Sequence, residues 1–166
     1  MSGVDEKFAD NREDLVTKVI AADDAMTSFR CWLKLQRAEP TEEHLYRVIT
    51  LAPSGMVVQQ AWRVLRRRNA PLDMLLAVVI HAREPAICRE AWDLIKPGEI
   101  VQASAIIGEI VCKAADIEVR RLAWEMLKSG PHNEDLLTYI ARETVDDGIR
   151  SEAIKLGGRR SAPRFR

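Results

Sequence analysis

Leu45-Tyr-Arg-Val-Ile-Thr-Leu-Ala-Pro-Ser-Gly-Met-Val-Val-Gln-Gln-Ala-Trp-Arg-Val-Leu65 is the stretch on which the fold turns. Leu45, Val48, Ile49 and Ala52 fall at i, i+3, i+4 and i+7, the apolar stripe of an amphipathic helix. Pro53-Ser54-Gly55 interrupts that stripe. A second stripe follows at Val57, Ala61, Val64 and Leu65. The spacing predicts helix, tight turn, helix.

The same pattern returns along the chain. Trp62 belongs to a column Trp32, Trp62, Trp92 and Trp124, spaced by 30, 30 and 32 residues, and a further step of 30 lands on Ile154. Seventeen residues before each anchor stand Leu15, Leu45, Leu75, Ile107 and Leu137. Ten before stand Ala22, Ala52, Ala82, Ala114 and Thr144; one before stand Cys31, Ala61, Ala91, Ala123 and Ala153. Three after stand Leu35, Leu65, Ile95 and Leu127, with Gly157 in the last unit. Eight before, Asp24, Ser54, Glu84, Asp116 and Asp146 occupy the start of the second helix. Asp and Ser there accept hydrogen bonds from the first turn, and Pro85 beside Glu84 suits a first helical position. Lys96-Pro97-Gly98 and Lys128-Ser129-Gly130-Pro131 close second helices.

One short helix pair cannot bury its own apolar face, but stacked pairs share a continuous core. The expectation is an all-α chain, an α-α superhelix (α-solenoid) of about five two-helix repeats forming one domain over residues 13–158. A flexible acidic start is expected at 1–12 and a flexible basic tail at 159–166.

Asp116-Ile-Glu-Val-Arg-Arg-Leu-Ala-Trp-Glu-Met-Leu127 resembles the second helix of a HEAT-like repeat, with its acidic cap, Val-Arg, Ala and Leu. Ile87–Ile95 and Ile149–Leu156 look like weaker copies. The period is shorter than the ~40–47 residues of standard HEAT units. It is closer to the short bacterial HEAT-like repeats of phycobilin lyase-type proteins. The resemblance covers nearly the whole chain and implies a fold; it does not imply one function.

Composition narrows the classes. The chain has 25 basic and 25 acidic residues and no net charge. It has no run of 18 apolar residues and no signal pattern in Met1–Asn11, so a soluble, cytoplasmic protein is expected. Cys31, Cys88 and Cys112 lack Cys-x-x-Cys spacing, and His44, His81 and His132 lack ligand spacing. Gly157-Gly158 follows a helix, the wrong end for phosphate. No catalytic, cofactor or metal residue is assigned, and an enzyme is not the expected reading.

Sorting charge by helix is more informative. Windows around the five anchors, 25–38, 55–68, 85–98, 117–130 and 147–160, hold 16 Lys/Arg against 6 Asp/Glu. Half of these cations (Arg37, Arg66, Arg67, Arg68, Lys96, Lys128, Arg159, Arg160) sit near helix C-termini, where the macrodipole favours them. Either way, second-helix ends would align along one edge. Candidate partner-binding residues are Arg63, Arg66, Arg67, Arg68, Lys96, Arg120, Arg121 and Lys128, with Trp62, Trp92 and Trp124. The tryptophans have two readings: packing between repeats, which is preferred, or a ladder contacting a ligand.

The expected function is a non-catalytic scaffold that binds another protein or an acidic peptide through its concave face or basic edge. The alternative is nucleic-acid binding, by resemblance to HEAT-like DNA glycosylases. A small-molecule or chromophore lyase is the third reading.

Overall fold

The computed structural model describes residues 3–96, 104–130 and 134–160, with side chains described for 11–96, 104–130 and 134–158. Ten helices and no strand occur among the described residues. They are α1 Gly3–Ile20, α2 Ala25–Arg37, α3 Glu42–Leu51, α4 Gly55–Arg67, α5 Leu72–His81, α6 Pro85–Leu94, α7 Ser104–Lys113, α8 Ile117–Ser129, α9 Glu134–Glu143 and α10 Asp147–Arg160. No described helix is long and apolar enough to cross a membrane.

The chain divides into two compact units, 1–78 and 79–166, with the boundary inside α5. In the first, α1 packs on α2 and α3 on α4; α1 also lies against α3, and α2 against α4. In the second, α7 packs on α8 and α9 on α10; α7 also lies against α9, and α6 against α8. Within each unit, therefore, first helices neighbour first helices and second helices neighbour second helices.

The sequence columns account for this packing. Every side chain in the column seventeen before the anchor is buried, from Leu15 to Leu137. Ala52, Ala82, Ala114 and Thr144 are buried at the turn, where small side chains let the two helices close up. Trp32, Trp62 and Trp124 lie in the interior with 1%, 1% and 2% exposure, whereas Trp92 is half-buried and Ile154 is 60% exposed. Ser28 Oγ donates to Val19 O at 3.0 Å and Cys88 Sγ to Val79 O at 3.3 Å, so the same position of the repeat ties α2 back to α1 and α6 back to α5. Glu39 and Asn69, both seven residues past a Trp, have φ of 53° and 52° and turn the chain out of α2 and α4.

The caps follow the sequence with one exception. Asp24 accepts from Thr27 N at 2.8 Å, Asp116 from Val119 N at 2.9 Å, and Asp146 from Gly148 N at 2.9 Å and Ile149 N at 3.1 Å. Ser54 precedes α4 without a side-chain cap bond. His44 completes a capping box: its backbone N–H donates to Thr41 Oγ1, and its Nδ1 accepts from Thr41 N at 3.1 Å. His81 ends α5, and His132 lies outside the described residues.

Two boundaries differ from expectation. α1 begins at Gly3, well ahead of residue 13, because residues 3–12 contain no proline and several good helix formers. α10 runs through Gly157-Gly158 to Arg160. Two glycines cost a helix about 1 kcal/mol each without forbidding it. The expected tail from Ser161 onward lies outside the described residues.

Candidate binding surface on the second helices

In the unit 79–166 Arg89, Arg121, Lys128 and Glu152 of the second helices take part in ties between helices. Arg89 on α6 reaches the Asp116 carboxylate through Nη2 at 2.6 Å and Nε at 3.2 Å. The same carboxylate caps α8. Arg121 on α8 repeats the arrangement toward Asp146, the cap of α10, at 3.9 Å. Both arginines stand three residues before a Trp anchor.

A second tie links α8 to α10. Trp124 Nε1 donates to Glu152 Oε2 at 2.8 Å, and Lys128 Nζ lies 3.0 Å from the same oxygen. Lys128 also pairs with Glu125 at 2.6 Å and sits 5.8 Å from the Trp124 ring centroid, at the outer reach of a cation–π contact. The hydrogen bond from Trp124, followed by that from Lys128, holds the Glu152 carboxyl below its ordinary range.

Asp116 gives the ties a pH signature. Partial burial pushes its carboxyl upward, but the bonds from Arg89 and from Val119 N outweigh this and hold it below the usual range. A carboxyl lowered by folding stabilises the fold above its unfolded value of about 3.9 and loses that contribution as pH falls through the folded value. Asp116→Asn is therefore expected to cost stability at pH 7, with the gap to wild type closing below about pH 4. Urea melts at pH 7 and pH 3 check it; a gap that stays constant with pH would contradict the tie.

The unit 1–78 is different. α2 and α4 contain six Lys/Arg and no Asp/Glu. Arg30, Lys34, Arg37, Arg63, Arg66 and Arg67 are all exposed. Among the described residues, Arg30, Lys34, Arg37, Arg63 and Arg67 make no hydrogen bond or ion pair; Arg66 has an interaction of its own. By contrast α6 and α8 balance four cations against four acids. The cause is local. The positions of Arg89 and Arg121 in the repeat are filled by Phe29 and Gln59 in α2 and α4, so that tie takes up no cation there. Arg30, Lys34 and Arg37 follow i, i+4, i+7 and form one stripe; Arg63 and Arg67 form another. The two helices lie side by side, at a typical axial separation of ~8–10 Å.

The remaining sequence candidates fall elsewhere. Arg68 donates to Pro40 O at 2.5 Å and holds the preceding turn. Lys96 is exposed just past α6 and is not a free cation. Arg120 is half-buried, and its Nε makes no hydrogen bond. Arg121 and Lys128 are the ion-paired ties described above. Trp62 and Trp124 are inside and offer a partner almost no ring surface; Trp92 keeps some. Arg30, Lys34 and Arg37 were absent from the sequence-based set, although the lack of any acid in 25–37 marks them.

Little else offers chemistry. Among the described residues no group of three or more His, Cys, Asp or Glu could hold a metal. Burial raises the Cys88 thiol and pushes Cys112 up to about 11, so neither forms a thiolate at neutral pH. A groove of about 300 Å³ on α9 and α10 is lined by Leu137, Thr138, Ala141, Ala153 and Ile154 with Gly157 and Gly158, none of them an acid or base. No protein-family model, curated protein or solved structure matches this chain.

Proposed function

We propose that this chain is a HEAT-like α-solenoid acting as a non-catalytic scaffold, and that it holds an acidic partner protein on the α2/α4 face. The observation that carries this reading is the acid-free pair α2 and α4, with five cations whose side chains make no hydrogen bond or ion pair among the described residues. Unpaired, exposed cations of one sign attract an opposite surface and steer its approach. The repeated columns and the side-by-side second helices support the stacked architecture. Nucleic acid is the second reading, favoured by the same lack of acids, because phosphate backbones are met by clustered Arg and Lys.

The test compares wild type with Arg30→Gln/Lys34→Gln/Arg63→Gln/Arg67→Gln as baits in native extract, with and without nuclease. The expected result is a partner captured by wild type, insensitive to nuclease and lost with the variant. Nuclease-sensitive capture would move the assignment to nucleic acid. Equal capture by both baits would remove the α2/α4 face from the account.

A further inference from the structure

α2 and α4 are copies of one helix: each has 13 residues, Ala25–Arg37 and Gly55–Arg67, set 30 residues apart. Equivalent positions behave alike. Trp32 with Trp62 and Leu35 with Leu65 are buried on the inner side. The outer side is shared as well. Met26 and Met56, each six residues before its Trp, are 58% and 51% exposed. Arg37 and Arg67, each five after, are exposed too. Met26, Leu33 and Arg37 stand at i, i+7 and i+11, a spacing that returns to one side of a helix; Met56, Arg63 and Arg67 repeat it. Leu33 is also exposed. The column of Met26 and Met56 holds Ala86, Glu118 and Gly148 in the other repeats. A single exposed apolar side chain needs no explanation. Here two methionines stand at the same level of two helices packed side by side, in their first turns, and the cations follow toward the C-termini. From the Met column to the last Arg column the face runs about 16 Å at ~1.5 Å per residue.

We propose that the α2/α4 face recognises an acidic protein segment that carries a bulky apolar side chain at one end of its run of carboxylates. The apolar group seats on Met26 and Met56, and the acids lie along Arg30, Lys34, Arg37, Arg63 and Arg67. The inference rests on the reading of this face as the binding surface and adds what the bound segment must contain. Thioether side chains are unbranched and polarisable, so they adapt to apolar groups of different shape. Cations steer the approach, and burial of apolar surface adds to the affinity once the segment is seated. A carboxylate at the level of the methionines would meet no side-chain cation, and an apolar group farther along would cover cations from water. A phosphate backbone would use the cations and leave the methionines uncovered, which favours a protein ligand.

The experiment uses the full chain, ¹³C-labelled at the methionine methyls, and two dye-labelled peptides of equal charge. One has two leucines followed by four glutamates; the other has the four glutamates alone. At low salt the leucine-bearing peptide is expected to bind about tenfold tighter by fluorescence anisotropy. It should move the Met26 and Met56 methyl resonances saturably, assigned with Met26→Leu and Met56→Leu, and leave those of Met74 and Met126 in place. Met26→Gln/Met56→Gln should bring the two peptides to equal affinity at unchanged Tm, with the binding of the glutamate peptide retained. Equal affinity of the two peptides for wild type, unmoved Met26 and Met56 resonances, or a preference for leucine that survives in the double variant overturns this inference and leaves the cationic face standing. Failure of both peptides to bind wild type at low salt overturns the face itself, and the inference with it.

Discussion

Trp124→Ala is expected to lower stability by about 3–5 kcal/mol, the usual loss when a large core aromatic is truncated. The indole is 2% exposed, so nearly all of a side chain that typically buries ~150–250 Å² is taken from water. The substitution also removes the N–H that bonds Glu152, and with it one of the two donors on that carboxylate. At roughly 2–4 °C per kcal/mol for a chain of this size, Tm should fall by on the order of 10 °C. Ile154 occupies the same column one repeat later and is 60% exposed, so Ile154→Ala should change stability by no more than about 0.5 kcal/mol. Thermal and urea melts of the two variants separate the readings of the column. A Trp124→Ala protein as stable as wild type would return the indoles to the role of contact surface.

The second large effect concerns binding. Neutralising Arg30, Lys34, Arg63 and Arg67 together removes four exposed cations that make no hydrogen bond or ion pair among the described residues. An exposed ion pair contributes about 0.2–1 kcal/mol, so four lost partners correspond to about 1–4 kcal/mol, or one to three decades of affinity. The effect should shrink as salt rises, since the Debye length drops from about 10 Å at 0.1 M to about 3 Å at 1 M. Titration of poly-L-glutamate at two salt concentrations measures both the loss and its salt dependence. Equal affinity of wild type and variant at low salt would contradict the assignment.

Most of the helical framework was legible because its signals are local. A stripe at i, i+3, i+4, an Asp before a first turn and an Ala at a tight turn each act within a few residues. Leu45, Ala52 and Trp62 could therefore be placed inside without knowledge of what they touch. The extents of α1 and α10 were less legible. Nothing local distinguishes a helix that starts at Gly3 from one that starts at 13, and Gly157-Gly158 weakens a helix without ending it.

The candidate surface was half legible, for a related reason. Arg121 and Arg67 look alike as letters in a basic second helix. What separates them is Asp146, 25 residues beyond Arg121 and 3.9 Å from it, whereas Arg67 has no such neighbour among the described residues. Lys128 likewise reads as an edge cation until Glu152 is placed 3.0 Å away. Whether a charge is available to a partner depends on contacts one repeat distant, and a count of signs along the chain does not contain them.

The most direct measurement sets two groups of charges against each other in the full chain. One variant carries Arg30→Gln, Lys34→Gln, Arg63→Gln and Arg67→Gln. The other carries Arg89→Gln, Arg121→Gln and Lys128→Gln. For each, Tm and the affinity for poly-L-glutamate are measured at the same low salt. The account predicts that the first loses affinity at unchanged Tm, and that the second loses Tm while keeping most of its affinity. A first variant that melts early but still binds, or a second that stays stable but no longer binds, would contradict it.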